Sequence, residues 1–392
     1  MESNYNTVYF KSVYEYYEEI LKDNSQWNYY SNSQRNIDID QLFNENNANE
    51  FIKNVLGLGN KSLVIQKIEN VLNGYSLSQY RSNHTLSAFL LEILVQRKLK
   101  IVMSELPQVY SANGVNSYVN NFLYFWSLSC LMHDIGFQIE EESRKDNNIP
   151  KTIDDFVKSY KIQYNFINDL DDDKELICNY YRYISNERSK IDYGIAAAMF
   201  FYDALMTDYN SIKKDTNKSF VHNGLKYSRD YKKHILLISN TIAKHNLWRA
   251  NDSNKEVYLK YNLNELIPSE LNSAKISLND KSINDKNKLL FLLGLIDTLE
   301  PIKNFGRNEN KSLMKNPYLI LKCLYIKFDC KNKEIIFALQ DNECYTNYLK
   351  SISGITGWLN VNLSYNSISK TIIVKLNKSV QSNADYNKKI VS

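Results

Sequence analysis

The chain has 392 residues, 43% hydrophobic and 23% charged, and its 48 basic and 44 acidic side chains leave a net charge of +4. That length can bury a substantial core, and charge so evenly mixed, with no long basic block, argues against nucleic-acid binding. Only 11 glycines and 5 prolines appear, which leans toward long helices and few tight turns.

The N-terminal stretch "MESNYNTVYFKSVYEYYEE" lacks the basic start and apolar core of a signal peptide. Apolar segments such as "LLFLLGLIDTLEP" fall short of the ~18 residues that span a bilayer, so no membrane segment is expected. Residues 1–75 read as short amphipathic helices, with "YFKSVYEYYEEILK" at helical spacing. Residues 76–305 carry the long helical patterns, among them "HTLSAFLLEILVQRKLKIVMSEL", "YVNNFLYFWSLSCLMHDIGF", "DYGIAAAMFFYDALMTDY" and "YKKHILLISNTIAKHNLW". Between them, the acidic run from Asp169 to Glu175 reads as a solvated loop or, less commonly for such a run, a cation site.

Over residues 316–377 the period changes to two. "LILKCLYIKFDCKNKEIIFALQ" predicts two strands joined at "CKNK", "CYTNYLKSISG" a short helix closed by Gly354, and "GWLNVNLSYNSISKTIIVKL" two more strands. The expected fold class is therefore mainly α, a helical core with a small C-terminal ββαββ appendage. The residues from Asn377 onward are polar and expected to fray. Cys130, Cys178, Cys323, Cys330 and Cys344 are odd in number and show no CxxC spacing, which argues for reduced thiols and a cytoplasmic location.

Four of the five histidines lie in or beside the apolar helical segments: His84, His133, His234 and His245. Singly, a histidine in such a setting is as a rule a satisfied core or surface side chain. Together, His84, the doublet His133-Asp134, His245 and the later Asp297 form an ordered series expected to come from different helices of a bundle, which can aim inward imidazoles and carboxylates at one centre. That donor set suits a first-row divalent ion. His234 precedes His245 by close to three helical turns and shares its face, as a pocket residue or as core packing.

These residues resemble the HD-domain metal-dependent phosphohydrolases. "YRSNHTLSAFL" is similar to the family's Arg-x-x-His-Ser/Thr opening, "LMHDIG" to its doublet, "TIAKHN" to its later helix ending in His-Asn, and "LLGLIDTLEP" to the helix with its distal Asp. The resemblance spans about residues 76–305. It implies His84, His133, Asp134 and Asp297 as ligands of one or two divalent ions (Mn²⁺, Fe²⁺, Co²⁺, Ni²⁺, Zn²⁺ or Mg²⁺). It also implies His245 at a second ion or at the substrate phosphate, and Asp134 orienting the attacking water. Arg81, one turn before His84, would face a phosphate oxygen or remain a surface arginine.

One position departs from the fuller ligand set: Tyr193 stands where relatives often carry histidine, and a neutral phenol is a poor ligand. Asp192 would substitute for it or merely cap the helix. The expected function is hydrolysis of a phosphate ester or anhydride in a small substrate, a nucleotide or nucleotide-derived molecule. The alternative is an HD-like sensor that binds metal or nucleotide with little turnover. A third reading is a scaffold assembled through the appendage, and a homo-oligomer is compatible with any of them.

Overall fold

The computed structural model describes residues 10–23, 39–43, 47–48, 59–72, 79–101, 106, 110–111, 121–145, 149–171, 173–213, 220–222, 225–227, 231–247, 255–263, 285–306, 317–357, 359 and 361–376. The tail expected to fray from Asn377 lies outside these residues. The elements run β1 (Lys11–Ser12), α1 (Val13–Lys22), α2 (Ile39–Leu42), α3 (Gly59–Leu72), α4 (Gln79–Leu99), β2 (Tyr110–Ser111), α5 (Asn121–Met132), α6 (Phe137–Ser143) and α7 (Ile153–Ser159). There follow α8 (Lys174–Glu187), α9 (Tyr193–Lys213), β3 (Phe220–His222), β4 (Leu225–Tyr227), α10 (Tyr231–Lys244), α11 (Lys255–Lys260), α12 (Asp285–Leu299) and α13 (Pro301–Gly306). The chain closes with α14 (Pro317–Cys323), β5 (Leu324–Asp329), β6 (Glu334–Leu339), α15 (Asn342–Ile352), β7 (Asn362–Asn366) and β8 (Thr371–Lys375). The protein is mainly helical with a small antiparallel sheet at its C-terminal end.

Local sequence explains the elements that frame the centre. Helix α1 begins at a capping box: Ser12 Oγ accepts from the Glu15 amide, and the Glu15 carboxylate accepts from the Ser12 amide at 2.7 Å. Its Val13, Tyr16, Tyr17, Ile20 and Leu21 form one buried stripe, and Tyr17 Oη donates to the Ser87 carbonyl at 2.8 Å, seating α1 on α4. Helix α9 is buried from Ile195 to Met206, apolar there apart from Asp203, which accepts from Lys67 and the Gln163 and Tyr164 amides, and packs along α10. Among the described residues, no helix is long and apolar enough to cross a membrane.

The appendage forms the expected ββαββ order, and its sheet gains the short N-terminal strand at one edge, in the order β1-β5-β6-β8-β7 with antiparallel pairs throughout. One expectation is corrected here. Residues Leu319–Cys323 are helical rather than extended, because Pro317 opens α14 with a preset φ and the strand register begins only where Leu324 meets Leu339 on β6. A second detail differs as well: α15 is not closed at Gly354 but runs on into a 3₁₀ turn over Ser353–Gly357. Tyr348 of α15 stacks edge-on against Phe337 at 5.3 Å and donates to the Leu299 carbonyl at 2.7 Å, which fastens the sheet to the end of α12.

Among the described residues of the acidic run, Asp171 and Glu175 are exposed, as a solvated segment would have them, while Asp169 and Asp173 are paired. Asp169 accepts from Tyr202 Oη and Lys232 Nζ, and Asp173 accepts from Asn240 and Lys244, so both carboxylates tie the segment before α8 to α9 and α10.

Candidate metal centre

The residues His133 to Gly136 form a tight turn between α5 and α6, with the Ile135 amide donating to the Met132 carbonyl and the Phe137 amide to the Asp134 carbonyl at 2.9 Å. This corrects the expectation that every member of the series sits within a helix. His245 likewise lies in a turn, just past α10, whereas His84 is in α4 and Asp297 in α12. The difference has a physical reason: adjacent residues of a helix point about 100° apart, so His133 and Asp134 can face one centre only where the helix has ended.

Gly136 makes this corner possible. A Cβ there would stand 2.2 Å from the Tyr193 carbonyl oxygen and 2.6 Å from the Ala197 amide nitrogen, so the turn packs directly on the backbone of α9. Gly194 does the same service for α10; a Cβ on it would meet His245 Cε1 at 2.9 Å.

The five residues converge. His84 Nε2 lies 3.0 Å from Asp297 Oδ1 and 3.7 Å from Asp134 Oδ2, and His133 Nε2 lies 3.5 Å from Asp134 Oδ1 and 3.6 Å from Asp297 Oδ1. The His133 and His245 rings meet edge to face at 5.2 Å. One donor atom each from His84, His133 and Asp134 falls within a 4.8 Å span, and all three residues are buried.

Each imidazole is oriented from behind. His84 Nδ1 pairs with Glu300 Oε2 at 2.7 Å, His133 Nδ1 with the Cys130 carbonyl, and His245 Nδ1 with the Ile242 carbonyl. For His133 and His245, a carbonyl acceptor fixes the proton on Nδ1 and leaves Nε2 with its lone pair, the arrangement metal-ligating histidines adopt, whereas His84 is held between Glu300 and Asp297 through both ring nitrogens. The Nε2 atoms of His133 and His245 are buried and make no hydrogen bond among the described residues. A divalent ion would satisfy such buried nitrogens, and His133 Nε2 stands beside both Asp134 and Asp297, so the residues present fit one.

The electrostatics of these side chains follow from the same packing. Burial opposes charge on His84, yet its hydrogen bonds to Asp297 and Glu300 prevail and hold the imidazole up at about 9. His245 moves the other way, to about 4, through burial and the neighbouring His133. Burial resists ionisation of Asp134, but His133, Arg81 and His84 outweigh it and hold the carboxyl well below the usual range. Asp297 is lowered in the same sense, against its burial, chiefly by Lys303.

The remaining expected residues divide. Arg81 is no free surface side chain; its guanidinium bonds Asp134 Oδ2 at 3.2 Å and lies 3.7 Å over the Phe137 ring. Tyr193 donates its hydroxyl to Asn246 Oδ1 at 2.9 Å, and Asp192 caps α9 by accepting from the Ile195 amide at 2.9 Å. Of the two roles weighed for Asp192, capping is the one the geometry gives. His234 packs between Tyr124 and Phe125, with ring centroids at 6.0 and 5.3 Å, in the core rather than at the centre.

Two residues escaped the sequence reading. Glu300 follows Asp297 by one helical turn in "DTLEP", a spacing that puts two carboxylates on one face and was there to be read. Lys303, whose ammonium pairs with Asp297 Oδ2, carries no local motif.

Beside the centre lies a cavity of about 330 Å³ lined by Asp297, Lys303, Lys190, Tyr193, Asn246 and, from the appendage, Ser351. Its volume suits a small organic ligand. Because His84, His133 and Asp134 are almost wholly buried, Asp297 is the member of the set that faces this space.

The chain matches no family model, no curated protein and no solved structure.

Proposed function

We propose that this chain is a metal-dependent phosphohydrolase acting on a phosphate ester or anhydride of nucleotide type. The observation that carries this reading is the buried grouping of donor atoms from His84, His133 and Asp134 within 4.8 Å, with Asp297 Oδ1 beside both imidazoles, the His245 ring against His133, and each imidazole held at Nδ1 by its own acceptor. His84, His133, Asp134 and Asp297 would hold the ion, with His245 beside them. A divalent ion supplies Lewis acidity and makes water acidic enough to ionise near neutral pH.

The chain's own groups do the rest. Lys303 and Arg81 place positive charge beside the two carboxylates, ready to offset the charge of an incoming phosphate. His245, kept neutral by its surroundings, offers an imidazole nitrogen that accepts a hydrogen bond from water. The free thiols of the five cysteines fit a reducing compartment, the cytoplasm.

The test is metal content by elemental analysis, followed by assay of a nucleotide panel with Mn²⁺, Ni²⁺, Co²⁺, Mg²⁺ and Zn²⁺. Asp134→Ala is expected to lose metal while staying folded, and His133→Ala and Asp297→Ala to lose turnover. A chain that never binds metal, or an Asp134→Ala protein that keeps it, overturns the assignment.

A second reading, a sensor that binds its nucleotide without hydrolysing it, draws on Tyr193. Its hydroxyl is committed to Asn246, so it contributes no donor to a second ion. Metal-loaded protein that binds nucleotides and releases them intact would favour that reading.

A further inference from the structure

A second cavity, of about 590 Å³, adjoins the first. Tyr180, Ile184 and Lys190 line both, so they form a common wall between the space facing Asp297 and the space beyond. The far cavity is edged by three cations, Arg144, Arg188 and Lys190, and among the described residues no carboxylate lines it. Its floor is aromatic: the rings of Tyr183 and Tyr258 are buried and stand 5.0 Å apart.

Two of the cations are held in place from beneath. Glu140, itself buried, accepts from Arg144 at 2.6 Å and from Lys190 at 3.0 Å through a single oxygen. One carboxylate thus serves two cations and neutralises only one of their charges. Arg188 Nε donates to Tyr183 Oη at 3.3 Å, and no carboxylate pairs with Arg188 among the described residues. A concave surface whose described lining carries three cations against one shared carboxylate, over tyrosine rings and next to the proposed phosphate centre, is suited to a multiply charged oxyanion, and arginine forks match phosphate oxygens in pairs.

We infer that the cavity edged by Arg144, Arg188 and Lys190 is a subsite for a second phosphate, so that the substrate carries at least two phosphate groups, one at the centre and one here. This rests on the phosphohydrolase reading for what happens at the centre, but the binding it describes stands apart from turnover. Lys190, in the common wall, would lie between the two groups and set the preference for a linked pair over a single phosphate.

The test is calorimetric titration of the full chain with tripolyphosphate and, separately, with inorganic phosphate, both in EDTA at fixed ionic strength. The unaltered protein is expected to bind tripolyphosphate at least about tenfold more tightly than phosphate. Arg144→Gln and Arg188→Gln should each lower that ratio by about tenfold, and Arg188→Lys should restore part of it. Lys375→Gln, which removes the same charge from the distant sheet, should leave it unchanged; thermal melts identify any variant that has failed to fold.

An unchanged ratio in both arginine variants, or an equal fall in Lys375→Gln, overturns the subsite. Metal content and hydrolysis of the same proteins read the other proposal independently. A ratio that falls in a chain without metal or turnover leaves the subsite standing and removes the hydrolase reading, and the opposite pattern does the reverse.

Discussion

His84 and Glu300 form the joint on which the centre turns: Glu300 Oε2 takes the Nδ1 proton of His84 at 2.7 Å while the same carboxylate accepts from the backbone amides of Ile302 and Lys303. One side chain therefore caps α13, orients the His84 ring and sets the position of the helix that carries Lys303. The link joins α4 to the end of α12 across 216 residues of sequence.

Removing that joint should cost both stability and affinity. Glu300→Ala leaves three buried or half-buried donors without a partner and is expected to destabilise the fold by about 3 kcal/mol or more. Glu300→Gln can still accept from the amides but loses its charge, and should weaken metal binding by about ten- to a hundredfold. Denaturant unfolding and metal competition measure the two effects; wild-type values in both would show that His84 does not depend on Glu300.

Gly136→Ala should be among the most damaging small substitutions in the chain. The added methyl meets backbone atoms of α9 at 2.2 and 2.6 Å, and backbone cannot rotate away as a side chain can. A loss of about 3 kcal/mol or more is expected from such overpacking. By contrast, the nearest atom to a methyl at Gly194 belongs to the His245 ring, so Gly194→Ala should lower metal affinity out of proportion to its effect on melting.

Asp192 supplies a pH dependence with a definite sign. Burial raises its carboxyl from 3.8 to about 6, so between those values the folded chain binds more protons than the unfolded one. Stability from this group is therefore present at low pH and lost as pH rises through about 6, to a limit of about 3 kcal/mol. Asp192→Asn keeps the cap on α9 and removes the charge. Its stability relative to the unaltered protein should climb between pH 4 and 7 in urea titrations, and a pH-independent difference would contradict the assignment.

Ser189 joins α8 to α9 with φ at 48°, in the left-handed region that suits glycine. Ser189→Gly should relieve about 1 kcal/mol of backbone strain, partly offset by the entropy of the unfolded chain. The expected net result is a small rise in melting temperature, with the affinity for metal unchanged. A lower melting temperature would mean that the serine side chain contributes more than its backbone conformation costs.

How much of this was legible beforehand differs by level. The change of period near Pro317 disclosed the helical core and the ββαββ order, since strand and helix periodicities are local properties of the chain. The ordered residues His84, His133-Asp134, His245 and Asp297 marked the centre because imidazoles and carboxylates are costly to place among apolar helices without a common partner. Other features are products of folding alone. That the doublet lies in a turn, that Tyr193 spends its hydroxyl on Asn246, and that Lys303 reaches Asp297 depend on where helix ends meet. The pairing of Arg144 with Lys190 through Glu140 is of the same kind: three unremarkable charges in the sequence, brought onto one oxygen because α6 and the start of α9 pack together with no Cβ at Gly136 to hold them apart.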